Sequence, residues 1–151
     1  MSKAFTKEDA VDVPVVIRHR PSLPEGTPNY VTARGLQLLR AELAATEPGP
    51  HRVELERQLG TALLAPAPAD PGEVRFGAHV TVRGDAGTMR HLQIVGVDEA
   101  DPAAGSIAFV APLARALFGK RVGDVVSART PGGTEELEIV ALAYDAAPAP
   151  P

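Results

Sequence analysis

The sequence predicts an α+β protein in which a short N-terminal antiparallel helical hairpin precedes an antiparallel sheet that carries one short helix. Three observations predict this order. Leucines recur every three or four residues in the first half of the chain, which is the spacing of one helix face. A single Pro-Gly-Pro sequence interrupts that pattern, and from Ala78 onward apolar and polar residues alternate in short segments bounded by glycines.

The helical hairpin is predicted for residues 30–64. Thr32 suits the N-cap of the first helix, because its hydroxyl can accept a hydrogen bond from a backbone N–H of the first turn. Pro48-Gly49-Pro50 forms the turn, since this sequence cannot continue a helix. Each arm is then about 13–15 residues and roughly 20 Å long. The apolar stripe consists of Leu36, Leu39 and Leu43 in the first arm and of Val53, Leu55, Leu59, Leu63 and Leu64 in the second.

The C-terminal domain is predicted for residues 74–145. Glycine-containing turns separate its strands, and the first two strands form a β-hairpin. Pro112–Gly119 is predicted to be the short helix, because proline suits the first helical turn and glycine a helix end. The predicted strands are Ala78–Arg83, Met89–Val95, Ser106–Val110, Asp124–Thr130 and Glu135–Tyr144.

The other segments are rich in proline and alanine. Residues 1–29 are predicted to be an extended or disordered arm, residues 65–73 a linker, and residues 146–151 a disordered tail. The arm holds one apolar patch, which we interpret as docking on the protein's own surface in preference to a partner-binding peptide. Its members are Val13, Val15, Val16 and Ile17.

Composition and charge exclude several classes of protein. There is no cysteine, which excludes disulfides, thiolate catalysis and cysteine-based metal centres. Two tyrosines, four phenylalanines and no tryptophan are too few for a base-stacking platform. Of the charged residues, seven basic and eleven acidic ones lie within residues 65–151, so this part carries the whole net charge of −4. Its partner is therefore expected to be basic rather than a nucleic acid.

Sequence motifs for catalysis are missing. None of His19, His51, His79 and His91 has ligand spacing on a shared helix face. His79 and His91 fall on neighbouring predicted strands, where two surface histidines are favoured over a metal site. The acidic residues around Asp98-Glu99 are either a solvated loop or a docking surface for a basic partner. We predict no catalytic residue, no cofactor and no metal site.

Ordered blocks of residues along 30–144 carry a family resemblance. They resemble the GreA/GreB family of bacterial transcription elongation factors. Each block alone is a weak signal, whereas the blocks together, in this order, are specific. The blocks are Tyr30–Gly35 (YVTARG), Val74–Ala78 (VRFGA), Ile94–Asp101 (IVGVDEAD), Pro112–Lys120 (PLARALFGK), Val122–Val126 (VGDVV) and Thr130–Gly133 (TPGG).

The resemblance implies a fold and a partner. It implies an FKBP-like fold for the C-terminal domain, which in this family docks at the rim of the secondary channel of RNA polymerase. It also implies a coiled coil that enters the channel with an acidic tip, where carboxylates help hold Mg²⁺ for cleavage of backtracked RNA. The polymerase-docking candidates that match the family motifs are Asp98, Glu99, Pro112 and Arg115.

The sequence departs from the family pattern at two places. The hairpin is shortened, and its tip at residues 46–51 holds one carboxylate, Glu47. We therefore predict that the protein does not stimulate transcript cleavage and is not an enzyme. The docking motif keeps Pro112 but has Val110-Ala111 where the family has two polar side chains, which implies a weaker or altered contact.

The predicted function is an elongation regulator that binds bacterial RNA polymerase. Nucleic-acid contact is expected to be indirect or weak, and the protein is expected to be a monomer. No apolar run approaches the roughly 20 residues of a membrane span, and the N-terminus lacks the apolar core of a signal peptide, which predicts a cytoplasmic location. Two alternatives stay open: a Rnk-type regulator linked to nucleotide metabolism, and, by analogy of fold alone, a peptidyl-prolyl isomerase.

Overall fold

A computed structural model describes residues 22–130 and 133–145 of the chain. It contains a helical pair, a two-stranded ribbon and a five-stranded sheet. The helices are α1 (Ala33–Ala45), α2 (Pro50–Thr61) and α3 (Pro112–Leu117), with a 3-10 turn at Pro102–Ala104. The strands are β1 (Asn29–Val31), β2 (Ala62–Leu64), β3 (His79–Arg83), β4 (Met89–Val95), β5 (Ser106–Ala108), β6 (Val125–Thr130) and β7 (Gly133–Ala143).

The helical hairpin forms where the sequence predicts it. Thr32 is the N-cap of α1, and its hydroxyl accepts a hydrogen bond from the Gly35 N–H at 3.0 Å. At the turn, the Arg52 guanidinium donates to the Thr46 carbonyl at 2.8 Å and to the Leu43 carbonyl at 3.2 Å. Because the last carbonyls of a helix have no partner within it, Arg52 closes the C-terminus of α1.

The prediction that the second helix extends to Leu64 is wrong. Helix α2 ends at Thr61, and Ala62–Leu64 is strand β2, which pairs in parallel with β1. Leu63 and Leu64 continue the helical leucine spacing in sequence, yet they are 53% and 52% exposed. The backbone hydrogen bonds to β1, which depend on a segment distant in sequence, override the local periodicity here.

The five-stranded sheet has the order β5-β4-β3-β7-β6. Three of its four pairings are antiparallel, and β5 runs parallel to β4. The β4–β5 pair is parallel because the chain makes a longer excursion through the 3-10 turn before it enters β5. Helix α3 packs on the sheet through Ala114 and Leu117, which are both fully buried.

The core lies under this sheet and follows the alternation of the strands. Because successive side chains point to opposite faces, every second residue of β3 and β4 enters the core. The largest fully buried side chains are Ile94, Leu117, Leu137, Ile139, Val74, Val80, Val82 and Val97. The predicted α+β class is confirmed, with apolar burial on one face of the sheet as its main source of stability.

Ion pairs and a tyrosine attach the end of the proline-rich segment to the C-terminal part. Arg121 pairs with Asp70, and its hydrogen bond holds the pKa of the Asp70 carboxyl below the usual range. The Tyr144 hydroxyl donates to the Glu73 carbonyl and accepts from the Arg75 N–H at 2.8 Å. Partial burial is the main cause that raises the pKa of this tyrosine. The proposed division at residues 65–73 stays a prediction.

Some predictions concern residues outside the described ranges. These are most of the N-terminal arm with its patch at Val13–Ile17, His19, the turn at Pro131-Gly132, and the tail 146–151. Within residues 22–130 and 133–145, no helix has the length and apolar character needed to cross a membrane.

Candidate functional site

The carboxylate of Glu99 joins the helical hairpin to the C-terminal domain. Its Oε2 accepts from the Thr32 N–H at 2.9 Å and from the Gly96 N–H at 3.0 Å. Its Oε1 accepts from the Thr32 hydroxyl, which in turn accepts from the Gly35 N–H. The negative charge therefore lies at the N-terminus of α1, where the helix dipole stabilises it.

Two glycines make room for this arrangement. A Cβ at Gly35 would overlap the Glu99 carboxylate, and a Cβ at Gly96 would overlap the Tyr30 carbonyl. Gly35 is buried within α1, and its φ does not require glycine. Close approach, and not backbone flexibility, thus explains both positions. We call Thr32, Gly35, Gly96 and Glu99 the interlock.

Three aromatic rings pack beside the interlock. Tyr30 of β1 lies 5.9 Å from the Phe76 ring and 6.0 Å from the Phe109 ring, and the two phenylalanines are 5.4 Å apart. All three pairs are tilted or edge-to-face, the arrangements that aromatic quadrupoles favour. Half of the six rings of the chain therefore connect the start of the hairpin to the sheet.

A groove of about 1200 Å³ separates the hairpin from the outer face of the sheet. Leu38, 59% exposed, lines its hairpin side together with Leu39 and Leu55. The opposite wall carries His79 and His91, whose rings stack with centroids 5.4 Å apart. The groove thus combines an apolar wall with a polar one.

The four predicted docking residues occupy different environments. Glu99 belongs to the interlock, while Asp98 lies beside it in the loop after β4 and is partly exposed. In α2, a hydrogen bond with Glu54 and the charge of that carboxylate raise the pKa of the Arg57 guanidinium. The charge of Asp98 adds to this effect, which places Asp98 near α2. Pro112 and Arg115 are both exposed on α3.

The topology explains how the loop and α3 approach each other. Strands β4 and β5 are parallel, so the residues that follow each of them leave at the same edge of the sheet. Asp98 follows β4, and Pro112 follows β5 after three residues. The structure therefore brings the acidic loop and the start of α3 to one edge.

Sequence reasoning identified Thr32 as an N-cap but missed the role of Glu99 as its partner. Gly35 and Gly96 were also missed as functional positions, although both belong to the quoted blocks. The available signal was the pairing of a Thr-x-x-Gly sequence with a distant Gly-x-x-Glu sequence, at Thr32–Gly35 and Gly96–Glu99. No rule of local structure connects two motifs that are 61 residues or more apart.

The tip of the hairpin has a mixed charge. Glu47 is exposed there, and Glu42 on the last part of α1 lies 2.9 Å from the His51 ring. Arg52 adds a guanidinium to the same end. Among the described residues, no group of three or more His, Cys, Asp or Glu side chains is placed to hold a metal ion.

Comparison with known families identifies the family to which the C-terminal part of the chain is similar. Residues 68–144, about half of the chain, match the family described as "Transcription elongation factor, GreA/GreB, C-term". The chain belongs to the GreA/GreB family. The match includes Gly96, Asp98 and Glu99, whereas Thr32 and Gly35 lie before it.

Two curated relatives each match between half and three-fifths of this GreA/GreB protein. "Transcription elongation factor GreA" of Alkalilimnicola ehrlichii is 45% identical over 94 residues, 60% of each chain. "Transcription elongation factor GreB" of Pasteurella multocida is 42% identical over 78 residues, 52% of this chain and 49% of that protein. The chain therefore spans about half to three-fifths of the length of the curated relatives it matches.

One solved structure of a GreA/GreB protein, from Nitrosomonas europaea, is 26% identical to this chain. The comparison covers 78% of this chain and 99% of that one, with a TM-score of 0.46.

Proposed function

We propose that this GreA/GreB protein binds bacterial RNA polymerase through its C-terminal domain, at the rim of the secondary channel, and regulates elongation. The observation that supports a polymerase partner most directly is the family match over residues 68–144. The net negative charge of the C-terminal part favours a basic protein surface as the contact. The proposed location is the cytoplasm.

The docking surface that we propose is the sheet edge that holds Asp98, Pro112 and Arg115. Asp98 and Arg115 supply charges of opposite sign, and charges at the edge of an interface mainly set the association rate and its salt dependence. Glu99 is proposed to act differently. Since its carboxylate already accepts three hydrogen bonds, it contributes by holding the hairpin in position.

We further propose that the protein does not stimulate transcript cleavage. Helix α1 has 13 residues and α2 has 12, so each arm reaches about 20 Å at 1.5 Å per residue. At the tip, Glu47 is the one carboxylate of residues 46–51, and the Arg52 guanidinium donates to the carbonyl of the preceding residue, Thr46, at 2.8 Å. Mg²⁺ is usually bound through one or two carboxylates together with phosphates, and a guanidinium beside such a site opposes cation binding.

A binding assay with purified core RNA polymerase tests the docking proposal. We expect Asp98→Asn to slow association and reduce its salt dependence, because it removes a negative charge that faces the basic surface. Arg115→Ala is expected to speed dissociation by removing a contact of α3, and the thermal stability of each variant is measured alongside. Asp85→Asn, an exposed change of equal charge in the β3–β4 turn, is the matched control and is expected to bind like the unmodified protein. If the unmodified protein failed to bind the polymerase at every salt concentration tested, the proposal would be refuted.

A transcript-cleavage assay tests the second part. Backtracked elongation complexes are incubated with this protein or with a full-length GreA, and the released 3′ RNA fragments are measured. We expect fragments with GreA only, together with a changed elongation rate when this protein is present. Stimulated cleavage by this protein would overturn the proposal.

A further inference from the structure

Two histidines face each other on the outer surface of the sheet. His79 on β3 and His91 on β4 are diagonal neighbours, because Thr81 is paired with His91 and His79 with Gln93. Their side chains lie on the face opposite the buried Val80, at the wall of the groove. The Nδ1 atom of His79 is 3.3 Å from the Nε2 atom of His91, and the ring planes differ by 23°.

The outer nitrogen of each ring has its own oxygen partner. The Nε2 atom of His79 is 2.9 Å from the Oδ1 atom of Asp145, and the Nδ1 atom of His91 is 3.5 Å from the Thr81 hydroxyl. A carboxylate accepts hydrogen bonds only, so it fixes a proton on the Nε2 atom of His79. The Nδ1 atom of His79 then presents a lone pair toward His91 in the neutral ring.

With the His79 lone pair turned inward, the Nε2 atom of His91 can meet it in two ways. It donates a hydrogen bond to the Nδ1 atom of His79 in one tautomer, and in the other tautomer both lone pairs are available to a shared cation. In a tetrahedral site with metal–nitrogen distances of about 2.0–2.1 Å, two nitrogen ligands are about 3.3–3.4 Å apart. The separation of 3.3 Å between the inner nitrogens of His79 and His91 matches that ligand spacing, so both nitrogens reach one ion without a change in the backbone. Asp145 occupies the position of the carboxylate that commonly orients a metal-bound histidine.

We propose that His79 and His91 bind a divalent transition-metal ion of the Zn²⁺ class through these two inner nitrogens. Imidazole nitrogens are suited to Zn²⁺, Cu²⁺ and Ni²⁺ and not to Mg²⁺. Within the described residues no third histidine or carboxylate completes the site. Water or a ligand in the groove fills the other positions, and the ion cross-links β3 to β4 beside the hairpin.

Calorimetric titration of the full chain with Zn²⁺ tests this proposal. The background is the variant His19→Gln/His51→Gln, which removes the other two histidines of the sequence. We expect one equivalent to bind in this background, and His91→Gln to weaken binding at least tenfold. Asp145→Asn is expected to weaken it about tenfold, as loss of an orienting partner does. The matched control is Glu135→Gln, which removes a carboxylate from β7, the strand that precedes Asp145.

Thermal unfolding provides a second measurement on the same variants. Zn²⁺ is expected to raise the Tm of the background protein, since it binds the folded chain, and to leave the Tm of His91→Gln unchanged. In the presence of a chelator, all variants are expected to melt alike because the substituted side chains are outside the core. Lack of saturable binding up to millimolar Zn²⁺, or unchanged affinity in the double variant His79→Gln/His91→Gln, would overturn the proposal.

Discussion

Removal of the Glu99 carboxylate is the most informative perturbation of this protein. Glu99→Ala leaves the Thr32 N–H and the Gly96 N–H without their acceptor. An unpaired buried donor costs about 1–3 kcal/mol, and the low end applies here because the site is half-buried. Loss of the charge at the N-terminus of α1 adds about 0.3–1 kcal/mol.

The combined cost is about 2–3 kcal/mol in the free energy of unfolding, close to the upper range of ordinary substitutions. For a chain of this length it lowers the Tm by roughly 6–9 °C, at about 3 °C per kcal/mol. Glu99→Gln keeps one carbonyl acceptor and is expected to lose about half as much. Glu47→Ala, which removes an exposed carboxylate at the tip, is expected to change the stability by less than about 0.5 kcal/mol.

Thermal unfolding measures the total effect, and native-state hydrogen exchange locates it. We expect the amides of Thr32 and Gly96 to exchange faster in Glu99→Ala, while amides in the sheet core change less. If the Tm of Glu99→Ala matched that of Glu47→Ala and the two amides exchanged as before, the interlock would have no energetic role. The reasoning would then be refuted.

A double-mutant cycle provides an independent test of the same contact. Gly35→Ala forces a methyl group into the Glu99 carboxylate, and such overpacking costs about 1–3 kcal/mol. In the Glu99→Ala background the methyl group has space, so most of that cost should disappear. A coupling energy of about 1 kcal/mol or more is expected, whereas additive effects would contradict direct contact.

Three other predictions concern the cap, the core and an exposed ion pair. Thr32→Val keeps the shape of the side chain but removes the capping hydroxyl, so it should cost about 1–2 kcal/mol in chemical denaturation, with Thr32→Ser restoring most of it. Leu117→Ala should cost about 2–5 kcal/mol because the side chain is fully buried, whereas Leu64→Ala, half exposed, should cost less than about 1 kcal/mol by the same measurement. Arg121→Ala should lower the Tm at neutral pH, since Arg121 holds the folded-state pKa of Asp70 below its usual value of about 3.9. That contribution is present above the unfolded pKa and is lost as pH falls through the lower folded pKa, so Tm curves of the variant and the unmodified protein should converge in acid. Curves that stay separate at pH values below both pKa values would contradict the assignment.

The sequence predicted the C-terminal sheet well, because its signals are local. Alternation identifies β3 and β4 to within one residue, and the proline at 112 fixes the start of α3. The prediction that the whole sheet is antiparallel is wrong for one pair, because β5 runs parallel to β4. Its direction depends on how the chain folds back through the 3-10 turn, and alternation is the same in parallel and antiparallel strands.

The hairpin shows where local reasoning fails. Thr32 and the Pro-Gly-Pro turn fix both ends of α1 correctly, since capping and helix termination act over a few residues. The β1–β2 ribbon and the end of α2 at Thr61 were missed, because pairing between Asn29–Val31 and Ala62–Leu64 depends on the completed hairpin. A leucine stripe describes which face could be apolar, but not where a helix gives way to a strand.

The candidate site illustrates the same distinction at the level of single side chains. Asp98 and Glu99 are adjacent and equally acidic, and the sequence assigns them one shared role in docking. The structure separates them: Glu99 accepts three hydrogen bonds from the interlock, while Asp98 lies partly exposed near Arg57. The Glu99 carboxylate would have to give up these three hydrogen bonds to contact a partner, so it gains little from one.

This separation also bears on how so short a hairpin could contribute to regulation. A hairpin of about 20 Å carries its tip only a short distance, so its effect depends on direction more than on reach. Glu99 and the Tyr30–Phe76–Phe109 cluster fix that direction at the base. Loss of polymerase binding in an Asp98 variant of normal stability would therefore indicate a direct contact. Loss of regulation with retained binding in a Glu99 variant would indicate that the orientation of the hairpin carries the effect.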